Sequence, residues 1–259
     1  MAVTRTAPGE SVTFRALGLL DAFDEAHRVL SLSQIARRTG TPLATTHRRL
    51  RDLVDGRILQ QRADGLYEIG ARTWQLGLLA RPTSMREAAL PHLQDLVLRT
   101  GQTVHVGVRD GLYALVIDRL AGSRTFTTRH LPGSRLPLHS TALGKVLLAF
   151  APESVQEQVL GHLSSVTPYT VTDKELLRRQ LAVVRRTRLA DSVQQNRLGV
   201  ASLGVPVFST RDPRDTAMVA IAIIASTEVN LASLEEPLRA CAHAVARAVD
   251  TLDRRWYDE

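Results

Sequence analysis

The sequence predicts an α+β protein that has a winged helix-turn-helix at its N-terminus, then a linker helix, then a larger α/β domain. Two short helical patterns flank a turn containing Gly40, and a β-hairpin signal follows them. Helical and strand patterns alternate along the rest of the chain. More than half of the net charge of +7 lies in the first 82 residues. The expected segments are a flexible tail over 1–10, the winged helix-turn-helix over 11–70, the linker helix over 71–84 and the C-terminal domain over 85–259.

The N-terminal segment begins with three short helices. Residues 12–23 place apolar side chains at helical spacing, and a second helix over 33–38 ends before Gly40. The third helix should cover 42–55, because Thr41 is a suitable N-cap and proline is favoured at the first helical position. Leu43, with other leucines of this helix, is expected on its apolar face.

A hairpin and a linker complete this segment. Asp64-Gly65 lies between the β-prone runs 58–61 and 66–69, which is typical of a tight hairpin. Apolar residues around Trp74 then predict the linker helix. Arg81-Pro82 marks its end, because proline disfavours helix in the residue before it.

In the C-terminal segment, the sequence pattern predicts five helices and five strands. The helices are expected over 85–100, 140–150, 153–160, 173–186 and 234–256, and the strands over 103–108, 112–120, 124–131, 200–208 and 217–224. Thr172 and Glu175 form a candidate capping box for the fourth helix. Residues 210–215 are rich in turn formers.

Composition narrows the functional class. At 44% hydrophobic and 23% charged residues, the chain has the composition of a soluble globular protein. No apolar run approaches the ~18 residues of a membrane span, and the N-terminus lacks the apolar core of a signal peptide. The single cysteine, Cys241, excludes an internal disulfide and a multi-thiolate zinc site. We therefore expect a cytoplasmic protein without a membrane partner.

Basic and polar residues of the third helix are the candidate DNA contacts. Only Lys145 and Lys174 are lysines among the 33 basic residues, so the arginine excess by itself also fits a GC-rich genome. The early part of a recognition helix reaches base edges, while Arg and Thr also hold phosphates. The alternative is a solvated helix face. The expected contacts, on surfaces not needed for the core, are Ser33, Thr45, Thr46, His47, Arg48, Arg49, Arg51 and, near the hairpin tip, Arg62.

Catalytic and nucleotide-binding alternatives are weaker. His139-Ser140 with Asp191 could form a hydrolase triad, but the chain has no Gly-x-Ser-x-Gly elbow, so Ser140 as a helix cap is the simpler interpretation. Gly144-Lys145 lacks the upstream glycine and the following hydroxyl of a phosphate loop. We expect no catalytic residues and no cofactor.

Metal and redox alternatives are also open. His105, His130 and His139 lie on or beside predicted strands and could meet, although scattered histidines are more often hydrogen-bonded individually. Cys241 lies among alanines of a helix, where a buried structural thiol is more common than a redox sensor. No metal site is predicted.

Motifs at both ends resemble the IclR family of transcriptional regulators. The N-terminal likeness comprises Ala16-Leu17, Leu20, Leu32-Ser33-Gln34-Ile35-Ala36, Pro42, Thr45, His47-Arg48, Leu50, Gly65-Leu66-Tyr67 and Leu76-Gly77. The C-terminal likeness comprises the run from Pro137 to Ala149, Gly199-Val200-Ala201-Ser202 and Val205-Pro206-Val207. The resemblance implies a winged helix-turn-helix, a linker helix and a GAF-like effector-binding domain, assembled as homodimers or homotetramers.

The resemblance also implies an effector pocket between the sheet and the start of the 139–150 helix. Family members bind small organic acids there, and Ala142 and Leu143 fall where they offer N–H groups to a carboxylate. The other positions implied are Thr128, Leu136, His139, Ser140, Ser192, Val200, Ser202, Ala222 and Ile224. Four residues of the C-terminal segment depart from the family pattern, with apolar side chains at Ala222 and Ile224 and amides at Gln194 and Gln195. These departures favour a more apolar, aromatic effector or a pocket whose binding is weak or lost.

The sequence thus predicts a homodimeric or homotetrameric regulator that binds a palindromic double-stranded DNA operator and responds to a small organic effector. Leu43 and Ala44 replace the Lys and Ser common in the family's recognition helix, so these two positions lack the side chains that hold phosphates in that pattern. One alternative is a ligand-sensing or hydrolase-like α/β protein with an incidental basic helical module. Another is a structural protein whose first helices bind a protein partner.

Overall fold

The structure is a computed structural model that describes residues 11–124, 130–208 and 217–257, without side-chain detail for 81–84, 217–218 and 251–257. By internal contacts the chain divides into two compact units, Met1–Thr83 and Ser84–Glu259. The expected residues Thr128 and 210–215 lie outside the described residues. In the part of the chain that the structure describes, no helix is long and apolar enough to cross a membrane.

The N-terminal unit is a helix-turn-helix followed by a small antiparallel sheet. Its elements are α1 (Val12–Leu17), a 3₁₀ turn (Gly18–Ala22), β1 (Val29–Leu30), α2 (Leu32–Thr39), α3 (Leu43–Asp55), β2 (Leu59–Gln61), β3 (Tyr67–Ile69) and α4 (Ala71–Leu78). The sheet order is β1-β3-β2, so β1 adds a strand that the sequence did not predict. The core of this unit contains Leu19, Leu30, Ile35, Leu50, Leu59 and Tyr67.

Local chemistry fixes the turn between α2 and α3. Ser31 accepts a hydrogen bond from the N–H of Gln34, whose side chain returns to Ser31, and this capping box starts α2. Gly40 ends α2 at φ 64°, a left-handed conformation that favours glycine. The expectation that Thr41 caps α3 is wrong, because Pro42 occupies the cap position and α3 begins at Leu43.

The linker differs from the expected single helix. Helix α4 ends at Leu78, and α5 (Arg81–Thr100) begins three residues later, so the proline at position 82 lies in the first turn of a helix instead of ending one. The side chain of Trp74 is 70% exposed. The apolar residues that predicted this linker therefore do not pack into the core of the N-terminal unit.

The C-terminal unit is built on a six-stranded antiparallel sheet of order β6-β5-β4-β9-β8-β7. The strands are β4 (Thr103–Asp110), β5 (Tyr113–Leu120), β6 (Arg135–Pro137), β7 (Ala190–Val193), β8 (Val200–Phe208) and β9 (Ala217–Ser226). After α5 the helices are α6 (Ala142–Ala149), α7 (Glu153–Gly161), α8 (Lys174–Thr187) and α9 (Ala232–Tyr257). Helices α5 and α9 pack on one face of the sheet, and α6 and α8 pack on the other.

Two strands and one helix cap of this unit were not predicted. Strand β6 pairs with β5 and was not expected, whereas residues 125–129 of the expected strand over 124–131 lie outside the described part, so that strand stays a prediction. Strand β7 was not predicted, because four residues are too few for a clear alternation. Asp173, rather than Thr172 with Glu175, caps α8 by accepting from the N–H of Leu176.

Alternation along the strands decides which side chains face α6. On β4, Val104 and Val106 belong to the core beneath α5 and α9, so His105 between them points to the opposite face. On β8, Leu203 and Val205 likewise face α5 and α9, which leaves Ser202 on the α6 side. Polar residues of both strands are thereby placed against the start of α6.

Candidate functional site

Helix α3 presents a polar surface on the side away from the core of the N-terminal unit. Leu50 and Leu53 are buried, whereas His47, Arg48 and Arg51 are exposed and Thr45 is half-buried. This arrangement suits a recognition helix because the side chains that could reach base edges are accessible to solvent. Leu43 was expected on the apolar face, but its side chain is 53% exposed at the start of α3.

The expectation that Thr46 and Arg49 lie on the free surface is wrong. The side chain of Thr46 is fully buried, and its hydroxyl donates to the carbonyls of Thr41 and Pro42 at 3.3 and 3.1 Å. Arg49 is 6% exposed and donates from Nη1 to the carbonyl of Arg15 at 3.3 Å. Burial lowers the pKa of Arg49, and the charges of Arg15 and Arg48 lower it further. Both residues therefore contact the N-terminal unit's own backbone.

Two candidate contacts flank α3. Ser33 is exposed near the start of α2, with its Oγ 3.0 Å from that of Ser31. Arg62 is exposed beside the hairpin turn, 3.3 Å from Asp64 and 4.0 Å from Glu68. Because exposed ion pairs contribute little free energy, these contacts do not prevent Arg62 from pairing with another anion.

A cavity lies between the sheet and the start of α6 in the C-terminal unit, with about 50 Å³ open to the centres of water-sized molecules. This volume exceeds what one water needs, so the cavity can admit a small molecule. Strands of the sheet, the first turn of α6 and two loops provide its walls. The lining residues are His105, His130, Leu136, Thr141, Ala142, Leu143, Ser192, Asn196, Arg197, Val200, Ser202 and Ile224.

The first turn of α6 is held tightly against the sheet. Thr141 caps the helix by accepting from the N–H of Gly144 at 2.9 Å, and its hydroxyl donates to the carbonyl of Pro137 at 3.0 Å. A Cβ on Gly144 would lie 2.5 Å from that same carbonyl, so only glycine allows this approach. The N–H groups at the start of a helix have no acceptor within it, and here they border the cavity.

Polar side chains on the cavity wall are largely bonded to one another. Ser192 donates to the carbonyl of Ser140 at 2.8 Å, and Ser140 donates to the amide oxygen of Asn196 at 3.4 Å. The amide nitrogen of Asn196 lies 3.4 Å from Nε2 of His130. The rings of His130 and His105 meet edge to face, with centroids 6.5 Å apart. Burial lowers the pKa of both imidazoles, that of His105 to about 3.

The structure brings seven of the expected effector positions to this cavity, namely Leu136, Ala142, Leu143, Ser192, Val200, Ser202 and Ile224. Three others do not line it. His139 pairs with the carbonyl of Ser164 at 2.9 Å, Ser140 is turned to Asn196, and Ala222 packs in the core beneath α6 and α8.

Sequence reasoning missed five lining residues: His105, His130, Thr141, Asn196 and Arg197. Because successive side chains of a strand face opposite sides of the sheet, the burial of Val104 under α5 and α9 could have predicted that His105 faces α6. The loop residues Asn196 and Arg197 gave no periodic signal.

The alternative chemistries do not assemble in this unit. His139 and Ser140 have different partners, and Asp191 lies on β7 with its backbone carbonyl accepting from Lys145 at 3.1 Å. Within residues 11–124, 130–208 and 217–257, no three His, Cys, Asp or Glu side chains are placed to hold a metal.

Cys241 is buried on α9. Its thiol contacts the carbonyl of His92 at 3.5 Å, and burial raises its pKa to about 12. A thiol with so high a pKa suits packing better than redox chemistry.

Comparisons with known proteins match both units. Residues 12–63 match the IclR helix-turn-helix domain, and residues 79–249 match the bacterial transcriptional regulator IclR C-terminal domain. The chain is 31% identical over 241 residues to the HTH-type transcriptional regulator XynR of Escherichia coli, covering 91% of this chain and 95% of that protein. It is 32% identical over 216 residues to the probable transcriptional regulator SauR of Cupriavidus necator, covering 81% and 84% respectively.

Solved structures give the same result. An IclR homolog from Microbacterium hydrocarbonoxydans, complexed with 4-hydroxybenzoate, has a TM-score of 0.86 and 28% identity, covering 93% of this chain and all of that one. The IclR protein of Thermotoga maritima has a TM-score of 0.68 and 26% identity, covering 91% and 97%.

Proposed function

Because the chain belongs to the IclR family of bacterial transcriptional regulators, we propose that α3 enters the major groove of an operator and that a small organic effector in the α6 cavity modulates this binding. The observation that carries the proposal is the division of α3 into two faces. Leu50 and Leu53 anchor the helix in the core, whereas His47, Arg48 and Arg51 remain exposed. Side chains on such an outer face can read base edges and hold phosphates.

The proposed DNA surface is smaller than the sequence suggested. It consists of Ser33, Thr45, His47, Arg48, Arg51 and Arg62. Thr46 and Arg49 are assigned instead to positioning α3, because the Thr46 hydroxyl and Nη1 of Arg49 already bond to backbone carbonyls. Arg62 would contact a flanking phosphate from the hairpin. With fewer arginines available, the expected dependence of binding on salt concentration is also smaller.

We propose that the protein acts as a homodimer or homotetramer on a palindromic operator, since two-fold symmetric helix-turn-helix proteins bind repeated half-sites. We assign it to the cytoplasm, where an operator is accessible, and assign it no catalytic activity. The hydrolase alternative loses its support because His139 and Ser140 bond to different partners.

The proposed effector is a small, largely apolar organic acid. The N–H groups of Ala142 and Leu143, at the positive end of α6, would receive its carboxylate. Leu136, Val200 and Ile224 supply apolar walls. An aromatic acid fits these surfaces, and a structural neighbour of this chain is complexed with 4-hydroxybenzoate.

Coupling between the two sites follows from linkage. An effector changes operator affinity only if it binds one arrangement of the DNA-binding domains better than another. We propose that the connection through α4 and the start of α5 transmits this preference. The change in operator affinity and the change in effector affinity must then be equal.

The test of DNA binding uses the regions upstream of the protein's own gene and of adjacent genes. A protected segment should be found by footprinting with the full-length protein. Arg48→Ala should weaken binding to this segment by about 1–3 kcal/mol if Arg48 contacts a base. Arg186→Ala is a matched control, because Arg186 is an exposed arginine on α8 in the other unit. Equal affinities for the wild type and the Arg48 variant would remove Arg48 from the specific contacts.

A further inference from the structure

His105 occupies an unusual position for a polar residue. It lies on β4, in the interior of the sheet, opposite Arg119 on β5 and Ala222 on β9. Its side chain is 1% exposed and lines the α6 cavity. Among the described residues, Nε2 of His105 has no hydrogen-bond partner. Buried polar atoms in folded proteins are nearly always bonded, so this one requires an explanation.

Neighbouring polar groups on the cavity wall already have protein partners. Thr141 bonds to Pro137 and Gly144, Ser192 bonds to the Ser140 carbonyl, and Asn196 bonds to both Ser140 and His130. Nε2 of His105 therefore faces the cavity without a protein partner, so a bound molecule would have to supply its hydrogen bond.

The imidazole of His105 is neutral under physiological conditions. Burial, together with the nearby His130 and Arg119, lowers its pKa to about 3. A neutral imidazole forms no ion pair with a carboxylate. Its Nε2 either donates or accepts one hydrogen bond, depending on the tautomer. A hydroxyl can do both, so it satisfies Nε2 in either tautomer.

The surroundings restrict what carries that hydroxyl. Leu136, Leu143, Val200 and Ile224 line the same cavity, and their side chains favour an apolar body. Because only about 50 Å³ of the cavity is open to the centres of water-sized molecules, it suits a small ligand rather than a large one. At the α6 end, the helix N-terminus favours negative charge. A small ring with a carboxylate at one end and a hydroxyl elsewhere matches all three features.

We infer that His105 is the specificity-determining residue of the effector pocket, and that its Nε2 bonds to the hydroxyl of a small hydroxylated aromatic acid. The inference rests on the proposal that this cavity binds an effector. It goes beyond that proposal because it names the group that is recognised and the residue that recognises it. An analogue lacking the hydroxyl leaves Nε2 buried and unpaired, which costs affinity.

The experiment compares benzoate with 2-, 3- and 4-hydroxybenzoate, using isothermal titration of the full-length protein. At least one hydroxybenzoate should bind about 5- to 150-fold more tightly than benzoate, the range expected when a buried polar group is left unpaired. The wild-type comparison needs no variant. It therefore stands even if a substitution at His105 prevents folding.

Variants test whether the preference for a hydroxybenzoate over benzoate depends on His105. His105→Leu should bind benzoate and the preferred hydroxybenzoate with similar affinity, whereas His105→Gln, which retains a hydrogen-bonding group, should keep part of the preference. His162→Leu is the matched control, because His162 is exposed at the end of α7. Without ligand, His105→Leu should melt at or above the wild-type temperature, because no protein hydrogen bond to Nε2 is lost.

Three results would overturn the inference. Benzoate could bind the wild type as tightly as every hydroxybenzoate, or the preference could persist in His105→Leu. In either case effector binding at this cavity would survive, and only the role of His105 would fail. If none of the four acids binds, the inferred ligand class is wrong. The footprinting experiment still tests DNA binding independently, since it requires no effector.

Discussion

Lowering the pH from 7 to 5 should destabilise the C-terminal unit, and His105 should account for a measurable share of the loss. An unfolded histidine has a pKa near 6.5, whereas burial holds the folded pKa of His105 at about 3. Between these two values the unfolded chain binds a proton that the folded chain does not. The contribution of neutral His105 to the free energy of unfolding is therefore fully present above about pH 6.5, and it is lost as the pH falls toward 3.

The magnitude follows from the two pKa values. Each pH unit well inside the window costs about 1.4 kcal/mol, and the onset near pH 6.5 is gradual, so the step from pH 7 to pH 5 costs about 2 kcal/mol. His130 and His139 also have pKa values lowered mainly by burial, so they act in the same direction. The wild-type loss alone cannot be assigned to one residue. The difference between the wild type and His105→Gln isolates the contribution of His105.

The assay is urea unfolding followed by circular dichroism at pH 7 and pH 5, for the wild type, His105→Gln and the exposed control His162→Gln. The wild type and the control should lose about 2 kcal/mol more than His105→Gln does on acidification. Equal losses in all three proteins would refute the reasoning, because His105 would then have the same proton affinity folded and unfolded. A larger loss in His105→Gln would refute it equally.

Two further substitutions test how α3 and α6 are held. Thr46→Val should lower the free energy of unfolding by about 1 kcal/mol, because it removes a hydroxyl that bonds to Thr41 and Pro42; an unchanged denaturation midpoint would show that these bonds contribute nothing. Gly144→Ala should lower the free energy of unfolding by about 1–3 kcal/mol and abolish effector binding, because the added Cβ would lie 2.5 Å from the Pro137 carbonyl oxygen. Wild-type melting and titration curves for this variant would contradict the packing described for α6.

The helix-turn-helix and the hairpin could be predicted from sequence because their signals are local. Gly40 and Gly65 adopt the positive φ values that their turns require, 64° and 79°. Strand β8 was predicted with the bounds that the structure has, since its apolar residues form a long run between turn formers. The family resemblance rested on short motifs at both ends, and the matches over 12–63 and 79–249 confirm it.

Burial within α3 could not be predicted in the same way. Arg48 and Arg49 are adjacent residues of the same type, yet one is exposed and the other contacts the backbone of α1. A helix turns by about 100° per residue, so neighbours face different surroundings. Which of them meets another helix depends on how α1 packs on α3.

The sequence by itself determined the family, the helix-turn-helix and the chemical character of α6, because these depend on motifs and on spacing within single elements. The tertiary structure decided the composition of the cavity. His105 lies on β4, His130 follows β5, and Asn196 lies between β7 and β8. Their meeting depends on the strand order β6-β5-β4-β9-β8-β7, which joins strands distant in sequence. Periodicity places a side chain on a face of its own strand, but only the packed sheet determines what that face meets.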